Sequence, residues 1–95
     1  MTMKEAYQQK IEAQLDEWKT EIDKMKVKLD KADADVKFEL YRRIQNLVSK
    51  QAEAQLKLNR LKEADEGAWE DLKAGVELAW ESLGEAVKSA KSSFK

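Results

Sequence analysis

Residues 11–29 have the sequence IEAQLDEWKTEIDKMKVKL, and the spacing of its apolar residues predicts the fold class. Apolar side chains recur at alternating intervals of four and three residues, which places them along one side of an α-helix. Lys, Glu, Asp and Gln fill most of the remaining positions. The pattern predicts an all-α protein in which this face packs against another helix. The face consists of Ile11, Leu15, Trp18, Ile22, Met25 and Leu29.

The apolar spacing changes after Val36, where intervals of four, four and three residues add up to eleven. An eleven-residue period corresponds to about 3.67 residues per turn, so the apolar stripe stays on one face without much supercoiling. The period continues to the end of the chain and includes two tryptophans. One such column consists of Met25, Val36, Leu47, Leu58, Trp69 and Trp80.

Helix boundaries are predicted from the turn-forming residues, since the chain has no proline and only three glycines. The segment 63–67 is the best break, because Gly67 can adopt the left-handed conformation and an acid at Asp65 or Glu66 favours the next helix start. The chain is therefore predicted to be a single helical domain, 1–95. It would comprise a long coiled-coil region over 1–64, with one unbroken helix from about residue 4 to 64, and an amphipathic helix over 67–94. The alternative is a three-helix up-down-up bundle with turns near residues 33 and 66.

The carboxy-terminal helix is predicted to be amphipathic, with its apolar side chains in an arc of about 120°. It is expected to fold back as a helical hairpin, with both tryptophans against the column Leu47, Ala54, Leu58 and Leu61. Docking on another protein or on a lipid surface remains open, although the acidic polar face disfavours anionic lipid. The packing or interaction face consists of Trp69, Leu72, Val76, Trp80, Leu83, Val87 and Phe94.

Motifs for chemistry are not found in this sequence. There is no histidine or cysteine, no phosphate-binding glycine loop and no metal-helix motif, so no catalytic, cofactor-binding or metal-binding residue is predicted. Asp33 and Asp35 point in different directions on a helix, and two carboxylates alone make a poor cation site. The expectation is a protein that is not an enzyme.

Charge and hydropathy bear on the expected partners and location. Acids accompany most of the lysines and the net charge is −1, which argues against nucleic-acid binding. The amino terminus lacks an apolar signal core, and no run reaches the ~18 apolar residues of a membrane span, so a cytoplasmic location is expected. The apolar face of residues 11–29 predicts a homo-oligomer, most simply a dimer, with a protein partner as another option.

Three stretches resemble a family of small bacterial coiled-coil proteins described as uncharacterised or as stress-response proteins. They are KEAYQQKIEAQLDEWKTEIDK, KADADVKFELYRRI and AWEDLKAGVELAWESLGEAVKSA. The resemblance covers nearly the whole chain and implies a coiled-coil interaction or structural protein with a role in stress response. The eleven-residue repeat is also similar in kind to those of late-embryogenesis-abundant proteins, apolipoproteins and granule-coating phasins. That likeness implies the alternative function, peripheral binding to a lipid or granule surface through the carboxy-terminal amphipathic helix.

Overall fold

The computed structural model describes residues 2–93, which form three long helices. These are α1 (Met3–Asp30), α2 (Ala34–Glu63) and α3 (Glu66–Ser93). The described residues contain no strand, so the predicted all-α class is confirmed. Thr2 caps the start of α1, because its hydroxyl oxygen accepts a hydrogen bond from the backbone N–H of Glu5 at 3.1 Å.

The first turn lies at residues 31–33, within the helix predicted to run unbroken from 4 to 64. That prediction was wrong. Asp33 is extended, with φ −66° and ψ 151°, and its carbonyl accepts from the backbone N–H of Lys37 at 2.9 Å, which starts α2. Aspartate is a poor helix-interior residue, which favours a break in this segment without glycine or proline. The Asp33 side chain itself accepts no capping hydrogen bond. The change of apolar period at Val36 accompanies the start of a new helix.

The second turn consists of Ala64 and Asp65, inside the predicted break. The Asp65 carboxylate accepts a hydrogen bond from the backbone N–H of Ala68 at 2.9 Å, so an acid starts the helix as expected. Gly67 does not take the predicted left-handed conformation. It lies in the first turn of α3, and no described glycine has a positive φ. Ala64 is extended, with φ −73° and ψ 143°, so the chain leaves the helical path here without a left-handed glycine.

Contacts between helices define their relative directions. Glu12 near the start of α1 forms an ion pair with Lys62 near the end of α2, so these two helices are antiparallel. The Lys50 ammonium donates to the Ser82 hydroxyl at 2.7 Å, which places the middle of α2 beside the middle of α3. Tyr7 contacts Trp69 near the starts of α1 and α3, and Trp18 contacts Trp80 near their middles, so these two helices run in the same direction. Each helix packs against both of the others, and α3 packs more extensively on α2 than on α1.

The interior is apolar along its whole length in the described part of the chain. Leu58, Leu61 and Leu83 are completely buried, and none of the polar or charged residues whose burial the structure describes is buried. The apolar stripes of all three helices meet in this one core, which supplies the burial that an isolated helix lacks. The buried residues are Ile11, Leu15, Ile22, Met25, Ile44, Leu47, Ala54, Leu58, Leu61, Trp69, Val76, Leu83, Val87 and Ala90.

Candidate interaction site

Two aromatic contacts join α1 to α3 and explain the spacing of the tryptophans. The Tyr7 and Trp69 rings meet edge to face, with centroids 5.6 Å apart and planes at 71°. The Trp18 and Trp80 rings lie at 4.7 Å and 44°. Tyr7 and Trp18 are eleven residues apart, and so are Trp69 and Trp80. Because α1 and α3 run in the same direction, equal steps of three turns, about 16.5 Å, bring both pairs into register.

The ring contacts of the tryptophans are with α1, an addition to the sequence-based expectation that the column of residues 47, 54, 58 and 61 on α2 receives them. Trp69 belongs to the same buried cluster as that column, and Trp80 packs against the cluster. That α2 column is buried in the common core. Tyr7 was not singled out as a partner, although its position eleven residues before Trp18 repeats the tryptophan spacing. This shared eleven-residue interval is the feature of the sequence that could have identified Tyr7 as a partner.

The first aromatic pair carries a cluster of charged groups. The Lys73 ammonium lies 5.0 Å from the Tyr7 ring centroid and 5.4 Å from that of Trp69, and the Lys4 ammonium lies 5.6 Å from Trp69. These distances suit cation–π attraction. The Tyr7 hydroxyl donates to the Glu77 carboxylate at 3.3 Å, and Glu77 also faces Lys73 at 4.0 Å. Trp69 Nε1 is buried and donates to no acceptor in the described residues. The cluster ties the amino-terminal part of α1 to α3.

Ionisation of Tyr7 is disfavoured in this cluster. Burial, the charge of Glu77 and the hydrogen bond to Glu77 raise the pKa of Tyr7 from 10.0 to about 12. A raised pKa means that the folded state prefers the neutral phenol. Its contribution to stability is complete below pH 10 and is lost as the pH rises towards 12.

We expect the free energy of unfolding of the parent protein to fall relative to that of Tyr7→Phe as the pH rises from 10 to 12. The phenylalanine variant keeps the ring contact with Trp69 but has no phenol to ionise. Urea unfolding of both proteins at several pH values in this window measures the difference. Identical pH dependence of the two proteins would show that Tyr7 is not held neutral by the fold.

The second aromatic pair depends on Gly84. A Cβ atom built on this glycine would lie 3.1 Å from Trp18 Cζ2 and 3.4 Å from Cη2, which is tighter than ordinary contact. Gly84 therefore makes room for the Trp18 ring against the backbone of α3. Gly75 differs, because a Cβ atom there would meet no other atom within 4 Å. The two glycines provide a matched comparison of helix preference with and without crowding.

We expect Gly75→Ala to stabilise the protein by about 0.5–1 kcal/mol, the usual gain of alanine over glycine inside a helix. Gly84→Ala is expected to gain less or to destabilise, because Trp18 must shift to admit the methyl group. Thermal and urea unfolding measure both effects, and tryptophan emission should change only in the Gly84 variant. Equal gains at the two positions would contradict the close approach of Trp18.

An open groove of about 500 Å³ lies beside the second aromatic pair, between α1 and the end of α3. Trp18 and Val87 form its apolar part. Glu21 and Lys91 form an ion pair across it at 3.5 Å, so charges of both signs line the groove. A mixed lining of this kind favours neither anionic nor cationic ligands.

The predicted self-association face of α1 lies inside this chain. Ile11, Leu15, Ile22 and Met25 are at most 5 % exposed. The other two members, Trp18 and Leu29, are half-buried against the same core. The helices that cover this face, α2 and α3, belong to the same chain, so the face is buried without a second molecule. Periodicity identified four residues of this face that are buried and did not identify what covers them; Val36, in the predicted eleven-residue column, is exposed.

The predicted packing face of α3 is also turned towards the other helices. Trp69, Val76, Leu83 and Val87 are buried. Leu72 and Trp80 are partly buried against the core. Phe94, the last member of the predicted face, lies outside the described residues. Asp33 and Asp35, considered above as a cation pair, are both exposed at the start of α2. Within residues 2–93, no group of three potential metal ligands is found.

Apolar side chains remain exposed on the outside of α2, and the sequence analysis did not single them out. Phe38 is 70 % exposed, Leu56 51 % and Tyr41 50 %. They do not follow the stripe that faces the core, so the apolar periodicity of the sequence did not predict a role for them. Among the helices of residues 2–93, none is long and apolar enough to cross a membrane.

The arrangement defines a class of protein, an all-α protein in which three helices share one apolar core. No protein-family model, characterised protein or solved structure matches the chain.

Proposed function

We propose that the chain is a non-enzymatic interaction or structural protein. Each chain folds as a compact three-helix up-down-up bundle, and the folded bundles self-associate. The carrying observation is the exposed apolar group on α2, Phe38, Tyr41 and Leu56, on a molecule whose core is already complete. Large apolar side chains on a highly charged surface are stabilised when another surface covers them. The predicted dimer is therefore retained as a proposal, with its contact moved from α1 to an outer surface.

Light scattering and sedimentation over a range of protein concentrations test this proposal. We expect a reversible monomer–dimer equilibrium, because the exposed apolar residues are few and the monomer is folded. A protein that stays monomeric at the highest concentration would contradict self-association.

The bundle arrangement has a separate test, which uses the absence of cysteine from the chain. Glu12 and Lys62 contact each other here, whereas an unbroken helix over 4–64 would separate them by about 75 Å. Spin labels on Glu12→Cys and Lys62→Cys, in protein diluted with unlabelled parent, should therefore report a short distance. A long distance would support the extended coiled-coil helix.

The alternative proposal is binding to a lipid or granule surface through α3. Four residues of its predicted apolar face are buried, so α3 would have to leave the bundle before binding. We expect helicity and tryptophan emission to be unchanged by neutral and anionic vesicles. A blue-shifted emission on adding vesicles would favour the alternative.

We also propose a stress-response role in the bacterial cytoplasm. This role rests on the resemblance of the three quoted stretches to bacterial stress-response coiled-coil proteins. Deletion of the gene should lower survival after a defined stress, and the parent gene should restore it. Equal survival of the deletion strain under heat, osmotic and oxidative stress would contradict the role.

A further inference from the structure

The exposed apolar residues of α2 form an extended stripe on its outer face. Phe38 and Leu56 are eighteen residues apart, which is five helical turns, so they lie on the same line about 27 Å apart. Gln45 and Ser49 lie between them within about 20° of this line, and Ala52 lies about 40° to one side of it. All three are uncharged and exposed. The stripe has large side chains at both ends and shorter ones in the middle.

Charged residues follow one flank of this stripe in an alternating order. Asp35, Arg42, Glu53 and Arg60 all lie about 40–60° from the line through Phe38 and Leu56. The intervals between them are seven, eleven and seven residues, so their spacing is symmetric about its centre. Their charges alternate in the order acid, base, acid, base. All four are exposed.

These charges are available to a second molecule. Asp35, Arg42 and Arg60 form no ion pair within residues 2–93. Glu53 faces Lys57 at 3.4 Å one turn away, a solvent-exposed contact that a competing cation can replace. Within residues 2–93, three of the four charges on this flank therefore lack an ion pair, and the fourth has one with an exposed neighbour on the same helix.

The symmetry of this pattern selects its partner. A two-fold dimer brings the same patch of each copy together, and in an antiparallel helix pair each flank faces the same flank of the other copy. About a centre between residues 47 and 48, Asp35 faces Arg60 of the second copy and Arg42 faces Glu53 of the second copy. Phe38 comes within one residue of the level of Leu56 of the second copy. A parallel two-fold pair would instead place this charged flank opposite the other flank of the second copy, so the four charges would not pair with one another.

We infer that two copies of the chain pair antiparallel through this outer face of α2, an inference that rests on the proposed self-association. Phe38 and Leu56 bury each other at both ends, and Ser49 and Ala52 in the middle allow the helix axes to approach. The four ion pairs of the dimer set direction and register. Tyr41 lies on the other flank of the stripe, beside Phe38.

Charge reversal tests the register. We expect Arg42→Glu or Glu53→Arg alone to raise the dimer dissociation constant by roughly tenfold, because each places two like-charge contacts in the symmetric interface. The double variant Arg42→Glu/Glu53→Arg should return the constant to within about threefold of the parent, since the two positions face each other. Sedimentation equilibrium measures the constants, and circular dichroism verifies that every variant is folded.

Apolar truncation tests the stripe itself. Phe38→Ala is expected to weaken the dimer by at least about tenfold. Leu78→Ala is the matched control, because Leu78 on α3 is 69 % exposed and Phe38 is 70 % exposed. The control should dimerise like the parent.

The outcomes separate this inference from the function on which it rests. A dimeric parent whose α2 variants all dimerise equally well would overturn the α2 interface and leave self-association standing. A double charge reversal that remains as weak as the single ones would overturn the antiparallel register. A parent that never dimerises would overturn both proposals.

Discussion

Leu83→Ala is expected to lower the free energy of unfolding by about 2–5 kcal/mol, the range for removing a buried leucine side chain. Leu83 lies in the middle of α3 and is 0 % exposed. The truncation removes apolar area from the core and leaves a cavity that close-packed neighbours fill only in part. Since a domain of this kind is stable by about 5–15 kcal/mol, the loss is a large fraction of the total.

The matched control for this change is Leu78→Ala in the same helix. Leu78 is 69 % exposed, and leucine and alanine both favour helix, so its replacement should change stability by about 0.5 kcal/mol or less. Urea unfolding of both variants compares the same leucine-to-alanine change at a buried position and at an exposed position. Equal stabilities would show that α3 does not pack on α1 and α2, in which case its apolar face, tryptophans included, would await a partner.

Ile22→Asp is expected to leave most of the protein unfolded at room temperature. Ile22 is 1 % exposed among apolar side chains, and the described part of the chain contains no buried cation to pair with a carboxylate there. Burying an unpaired charge costs several kcal/mol, and the lost isoleucine contacts add to this cost. Together these losses approach the whole stability of a small helical domain.

Val27→Asp provides the control on the same helix, because Val27 is 55 % exposed. Its carboxylate stays in water, so the variant should fold with nearly the helicity of the parent. Circular dichroism at low temperature and thermal melting distinguish the two variants. An Ile22→Asp protein that melts like the parent would contradict the burial of the α1 face.

Helicity and the choice of buried residues could be predicted from the sequence, because both depend on local rules. Alternating intervals of three and four place side chains on one side of a helix whatever the helix packs against. Ile11, Leu15, Ile22 and Met25 were assigned in this way and are buried. The turn near residue 65 was equally local, since Asp65 is a good residue before a helix.

The first turn and the partners of each face were decided by the tertiary structure. Residues 31–33 contain no glycine or proline, and a continuous helix and a turn were both compatible with the sequence. The reversal is favoured because it brings the faces of α1 and α2 together within one chain, which buries apolar area without a second molecule.

The tryptophan contacts show the same division. The eleven-residue interval determined that Trp69 and Trp80 share a face of α3. Only the parallel direction of α1 and α3 selected Tyr7 and Trp18 as their partners. An apolar stripe predicts that one face of a helix is buried. It does not predict the direction of the helix that covers this face, because the hydrophobic effect depends on buried area alone.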